Sequence, residues 1–273
     1  MRTFHLAPAY DNTKRIDEVV MPDIRYAQNE NVDRGDLRMQ VIERGTSTPI
    51  DDAKISISYS GDPDSTVEEV NTDASGMSET LTLDTPPLEL SMQPSEVQPY
   101  AEYTIQVTAK GYRPINISGI EVFSGQLSLQ EIRMDAEEAT ESMTDNIVIP
   151  AHTLFAEYPP KIAEAEIKPV TETGEIVLSR VVIPEYVIVH DGAPSDPTAR
   201  DYYVRYRDYI KNVASSEIYS TWPDTTIRAN VLAIMSFTLN RVYTEWYRNQ
   251  GYDFTITSST AFDHKWIYGR NIF

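Results

Sequence analysis

The stretch "YTIQVTAKGYRPINISGIEVFSG" (residues 103–125) decides how the first half of the chain is read. Tyr103, Ile105 and Val107 alternate with polar residues, and strict period two is the signature of a half-buried strand. Working outward, "DLRMQVIE" puts Leu37, Met39 and Val41 on one face. "AKISISYS" does so with Ile55, Ile57 and Tyr59, and "LSLQEIRM" with Leu127 and Leu129. Turn signals separate these runs: "GDPD" at 61–64, "DASG" at 73–76, "TPP" at 85–87 and "SG" at 124–125. Short strands punctuated at this spacing predict an all-β sandwich over residues 34–134.

In its order of motifs, from "TPIDDAKISIS" through "TDASGM" to "YTIQVTAKGY", this region resembles the carboxypeptidase regulatory-like, transthyretin-like sandwich. The resemblance implies a structural role for it. Residues 1–33 show no sustained period and are read as an N-terminal extension, with "IDEVVMPDI" as an alternative edge strand. Residues 135–184 open on the acidic "DAEEATESMTDN", which is linker-like and suits a processing protease. They continue as an extended, proline-rich segment, with strand candidates at 175–183 and 185–190.

Charge divides the chain in the same place. Of 42 acids and 23 bases, nine of each fall after residue 185, so the first 185 residues carry the whole net charge of −19. That balance excludes a duplex nucleic-acid partner for the acidic part. The neutral part suits an uncharged or amphoteric ligand such as a glycan. There is no cysteine, which excludes disulfides, thiolate metal sites and a cysteine nucleophile. No apolar run of the length of a secretory signal or a membrane span is visible, so no membrane partner is expected.

Residues 201–273 hold 16 of the 27 aromatic residues. Apolar residues at 227, 231, 234, 235, 239, 242 and 246 repeat with the helical period. They predict a long, central, buried helix from about 224 to 249, capped by Asp224 or Thr225 at its start and Gly251 at its end. "RDYIKNVASSEI" predicts a shorter helix with Tyr209, Val213 and Ser216 inward, and "STWP" is the turn between them, since Pro223 disfavours a helical Trp222.

The run "YIKNVASSEIYSTWPDTTIRANVLAIMSFTL" resembles the stage II sporulation protein D (SpoIID) family of lytic transglycosylases. Tyr209, Val213, Glu217, Trp222 and Pro223 fall in register with that family's pattern. "FTITSSTAFDHKWIYGRNIF" is similar to a later family segment. With the sandwich, the acidic linker, "HTLFAEYPPKI" and "IPEYVIVHDG" in this order, the chain resembles the SleC family of clostridial spore cortex-lytic enzymes. The resemblance implies a multidomain pro-form: a β-sandwich pro-domain followed by an α+β, SpoIID-like catalytic region over 185–273. Family members continue with more of the catalytic domain, so the chain is expected to be a truncated form. It also implies leaderless synthesis in the mother cell, location in the spore and processing by a subtilisin-like germination protease. The substrate would be cortex peptidoglycan.

By this resemblance Glu217 is the catalytic acid. Such an enzyme uses the C6 hydroxyl of N-acetylmuramic acid as nucleophile, so one carboxyl serves as acid and then base, where most glycosidases need two. The carboxyl must then be kept protonated, which burial near Ile218, Tyr219 and Trp222 would favour. Ser215 and Ser216 are expected to orient it, and Tyr219, Trp222, Tyr243 and Trp266 to contact sugar. Asp253 and Asp263 are possible second carboxylates, and Arg228 and Arg241 are expected to be solvated or paired. His5, His152, His190 and His264 lack the spacing of a metal site. Some SpoIID members bind zinc through a His-Cys pair; without cysteine that site is not implied here, so no metal or cofactor is expected. The rival readings are a non-catalytic module that binds peptidoglycan or a spore protein, and an N-acetylmuramoyl-L-alanine amidase.

Overall fold

The structure, a computed structural model, describes residues 32–137, 144–162 and 181–273. The N-terminal extension, the centre of the acidic linker and most of the 175–183 strand candidate lie outside the described residues. Eight strands build a sandwich. They are β1 (Asp33–Glu43), β2 (Lys54–Tyr59), β3 (Asp62–Asn71), β4 (Leu81–Thr85), β5 (Ala101–Thr108), β6 (Ile115–Val122), β7 (Leu127–Met134) and β8 (Asp145–Val148). One sheet has the order β4-β1-β7 and the other β3-β2-β5-β6-β8.

Leu37, Met39 and Val41 of β1 meet Ile55 and Ile57 of β2 and Ile105 and Val107 of β5 in one buried cluster, as the alternation predicts. Pairing is antiparallel except β1 with β7 and β6 with β8. β3 escapes sequence reading because "DPDSTVEEVN" is an acidic edge strand with almost no apolar face. Strand β8 arises inside the segment read as linker. It docks on β6 beside Gly119, whose φ of +82° and place 2.2 Å (for an added Cβ) from the Ile149 carbonyl admit only glycine.

One strand inverts its expected face. Leu127 and Leu129 of β7 are exposed, while Ser128, Gln130, Ile132 and Met134 are buried. The reason is tertiary. The last residues of the chain run alongside β7, where Leu129 and Ile272 exchange both backbone hydrogen bonds. Gln130 Nε2 donates to the Gly269 carbonyl.

The C-terminal unit holds a third sheet, β10-β9-β11, from β9 (Tyr186–His190), β10 (Asp201–Arg205) and β11 (Ile256–Thr257). Two helices, α1 (Tyr206–Glu217) and α2 (Asp224–Tyr243), pack with it. Tyr209, Val213 and Ser216 of α1 are fully buried.

Helix α2 differs from expectation at both ends and in its depth. Pro223, not Asp224 or Thr225, occupies the N-cap, and Asp224 pairs instead with Arg228 one turn on. The helix stops at Tyr243 because the chain turns at Glu245 with φ of 47°; Gly251 closes a separate short 3-10 turn. It is a surface helix rather than a central one: only Ile234, Thr238 and Arg241 are buried, and Leu232 is 65 % exposed. Among the described residues no helix is long and apolar enough to cross a membrane.

Candidate functional site

Glu217 is the last residue of α1, where unpaired carbonyls and the negative end of the helix dipole gather. Those carbonyls are satisfied from outside the helix. Arg270 Nε donates to the Ser215 carbonyl at 3.1 Å, and Thr153 donates through its amide and its hydroxyl to the Ser216 carbonyl. The Glu217 carboxyl turns the other way, toward the loop 259–265. Its Oε1 accepts the Lys265 amide at 2.7 Å, and its Oε2 lies 2.9 Å from His264 Nδ1. The Glu217 side chain keeps 23 % of its exposure and His264 18 %.

The loop that brings His264 here is fixed by its neighbour. Asp263 is fully buried and accepts from Arg241 Nε at 2.8 Å, Tyr247 Oη at 2.5 Å, and the Thr257 amide and hydroxyl. His264 then packs edge-on against Phe237 of α2 with ring centres 4.6 Å apart. The segment 151–162 runs alongside this loop and Phe237 of α2. Tyr158 lies under Lys265, Lys161 over the Phe237 ring, and the Ile162 amide donates to the Ala261 carbonyl. Burial pushes the Lys265 ammonium below its ordinary range.

With Oε1 on the Lys265 amide, Oε2 is the carboxyl oxygen that meets His264 Nδ1. With the carboxyl protonated, Oε2–H donates to the imidazole; with it ionised, Nδ1–H donates back. A carboxyl and an imidazole in hydrogen-bond contact are residue types that general acid–base catalysis uses.

The expected site residues are not all brought to this carboxyl. Ser215 is buried and its Oγ accepts the Phe273 amide, while the Ser216 hydroxyl donates to the Asn212 carbonyl. Neither orients Glu217, since both point into packing on the helix's buried side. Tyr219 lies in a buried aromatic group with Phe123 and His152. Burial pushes its hydroxyl up to about 12. Trp266 packs on Tyr202 and Tyr268 and is 5 % exposed. The Tyr243 hydroxyl is engaged by the backbone of Val182. Trp222, like Tyr243, is half-buried. The Trp222 Nε1 donates to the Ser91 carbonyl, and its ring and Tyr219 help line a groove of about 270 Å³ with Leu90, Met92, Pro94 and Leu154. A second cavity of about 220 Å³ is lined by Tyr186, Tyr247 and Phe254, and Glu217 lines neither.

Asp263 and Arg241 neutralise each other in the interior and are closed to a ligand; Asp253 is exposed. Sequence reasoning weighed His264 only as a metal ligand and missed it as the partner of Glu217. No local spacing joins residues 47 apart; the only signal was that "AFDHKW" lies in a segment already singled out. Among the described residues no three or more His, Cys, Asp or Glu side chains gather as for a metal ion.

No protein-family model and no curated protein matches the chain. Solved structures similar to it include the Bacillus anthracis TIE protein, at 15% identity over 38% of this chain and 17% of that one, TM-score 0.27. GBS52, the minor pilin of Streptococcus agalactiae, matches at 10% identity over 44% of this chain and 49% of that one, TM-score 0.28. Klebsiella pneumoniae 5-hydroxyisourate hydrolase matches at 17% identity over 38% of this chain and 92% of that one, TM-score 0.24. The match thus spans less than half the length of each of the first two proteins.

Proposed function

We propose that this chain belongs to a precursor of a peptidoglycan lytic transglycosylase acting on spore cortex, with a SpoIID-like C-terminal unit and Glu217 as its acid and base. The observation that carries the reading is the Glu217–His264 pair: one carboxyl, held on Oε1 by an amide, meets an imidazole through Oε2. In the proposed reaction the carboxyl proton passes to the glycosidic oxygen as the bond from C1 of N-acetylmuramic acid breaks. The C6 hydroxyl oxygen then closes on C1 to form the 1,6-anhydro ring, and its proton returns to the carboxyl–imidazole pair. Cleavage by a subtilisin-like germination protease between Met134 and Ile147 is the processing step that goes with this reading.

The test is mass spectrometry of cortex peptidoglycan after incubation with the protein. Anhydro-muramic ends are expected, falling by roughly 100-fold or more in Glu217→Gln. New reducing ends would mean hydrolysis and free peptide stems an amidase, and either sinks the proposal.

A non-catalytic binding module is the second reading. It is favoured by the use of Ser215, Ser216, Tyr219 and Trp266 in packing rather than around the carboxyl. On that reading neither protein yields products, and Glu217→Gln binds cortex as well as the unaltered chain.

A further inference from the structure

The boundary between the sandwich and the C-terminal unit is not where the chain passes from one to the other. Everything after residue 143 is covalently part of the C-terminal side, yet much of it is built into the sandwich. Strand β8 completes the five-stranded sheet by parallel pairing with β6 from Ile115–Asp145 to Ser118–Val148. Ile149 and Ile267 sit in the sandwich's own core, 3 % and 4 % exposed, and Ile147 packs against it. Gly269, at φ of +80°, passes so close to Ile147 that a Cβ there would lie 2.8 Å from Cγ2.

Across the two sheets the end of the chain clamps β6 and β7. Arg270 Nη2 meets Glu121 Oε2 at 2.8 Å with both side chains fully buried. Asn271 Nδ2 donates to the Glu121 carbonyl at 2.7 Å, and Ile272 exchanges two backbone bonds with Leu129. Phe273 and Tyr219 close on Phe123 of the sandwich. The same Arg270 caps α1 through Ser215, two residues before Glu217, so the sandwich supports the helix end that carries the carboxyl.

We propose that the sandwich is a permanent partner and not a detachable segment. Residues 144–273 hold it by donated strand, shared core and buried ion pair, so a cut within 138–143 leaves a nicked two-fragment complex. Donating a strand to a sheet edge gives backbone hydrogen bonds as well as apolar burial, a mode of binding that does not need covalent continuity. The proposal stands apart from the peptidoglycan reading, since it concerns only how the two parts adhere.

The recognition sequence of a specific protease is to be inserted within 138–143 and the folded full chain cut. Denaturing electrophoresis verifies two fragments, and gel filtration without denaturant reads their association. Co-elution at the mass of the intact chain, 31.0 kDa, is expected. Two separate peaks would overturn the proposal. In the cut protein carrying Glu121→Ala, the dissociation constant of the fragments should rise at least about tenfold, because Arg270 Nη2 is left buried without the carboxyl oxygen that accepts its hydrogen bond. An unchanged constant would remove the ion pair from the adhesion proposed.

Discussion

In the sandwich, depth is occupied by Leu37, Met39, Val41, Ile55, Ile57, Ile105, Ile117 and Ile132. In the C-terminal unit, Asp263, Arg241, Asn212, Thr257 and Tyr209 lie equally deep among fewer aliphatic residues. The first core is held by area removed from water, a non-directional force that tolerates many arrangements of similar volume. The second is held by directed bonds, each of which must be met, since a buried polar group without its partner is expensive. The contrast teaches why the candidate site lies where it does. Only the directed core can place a carboxyl and an imidazole at a set distance, here Glu217 and His264 at 2.9 Å.

The sharpest way to break the comparison is Asp263→Ala. It strips the acceptor from Arg241 Nε, Tyr247 and Thr257 and removes a fully buried negative charge from beside the guanidinium. A loss of about 3–5 kcal/mol in urea unfolding is expected. A loss under about 1 kcal/mol would mean that the C-terminal core is held as the sandwich is.

Strand β7 supplies the next test. Ile132→Ala should cost about 2–5 kcal/mol, the range for deleting a buried aliphatic side chain. Leu129→Ala, on the exposed face, should stay within about 0.5 kcal/mol. Equal costs would show that the inverted face of β7 is wrong.

The smallest effect expected is on pH dependence. Burial pushes the Glu121 carboxyl up to about 7, with Arg270 pulling it back. Its folded value is therefore above the unfolded one, near 4.5. The stability this group contributes is complete below about pH 4.5 and is lost as pH rises through about 7. Burial holds the His152 imidazole well below its ordinary range, which gives a slope of opposite sign below about pH 6.5. Comparing the unaltered chain with Glu121→Gln cancels His152. Across this window the stability difference should shift against the unaltered chain by on the order of 1–3 kcal/mol. A difference that stays flat with pH would place Glu121 outside the titrating groups.

Legibility followed the same contrast. β1, β2 and β5 were readable because their alternation alone places Leu37, Ile55 and Ile105 inward. The face of β7 was not, because what buries Ser128 and Gln130 is a segment some 140 residues later in the chain. Helix α2 was readable in type but not in depth. Its period is real, but the buried stripe Ile234, Thr238 and Arg241 contains two polar residues whose partners lie in the Ile234 backbone and on Asp263. Ser215 and Ser216 read as donors to Glu217 because they are adjacent in sequence. On a helix, neighbours in sequence face different ways.

By itself the sequence determined the sandwich, the helical pair and the charge division at residue 185. Each follows from a local period, a composition or a motif contained within a few tens of residues. Only the tertiary structure decided that His264 partners Glu217, that Asp263 fixes the loop between them, and that Arg270 ties the helix end to Glu121. Those are bonds between residues 22 to 149 positions apart. Their strength comes from burial, which no local pattern records, because it exists only once the two cores have closed on each other.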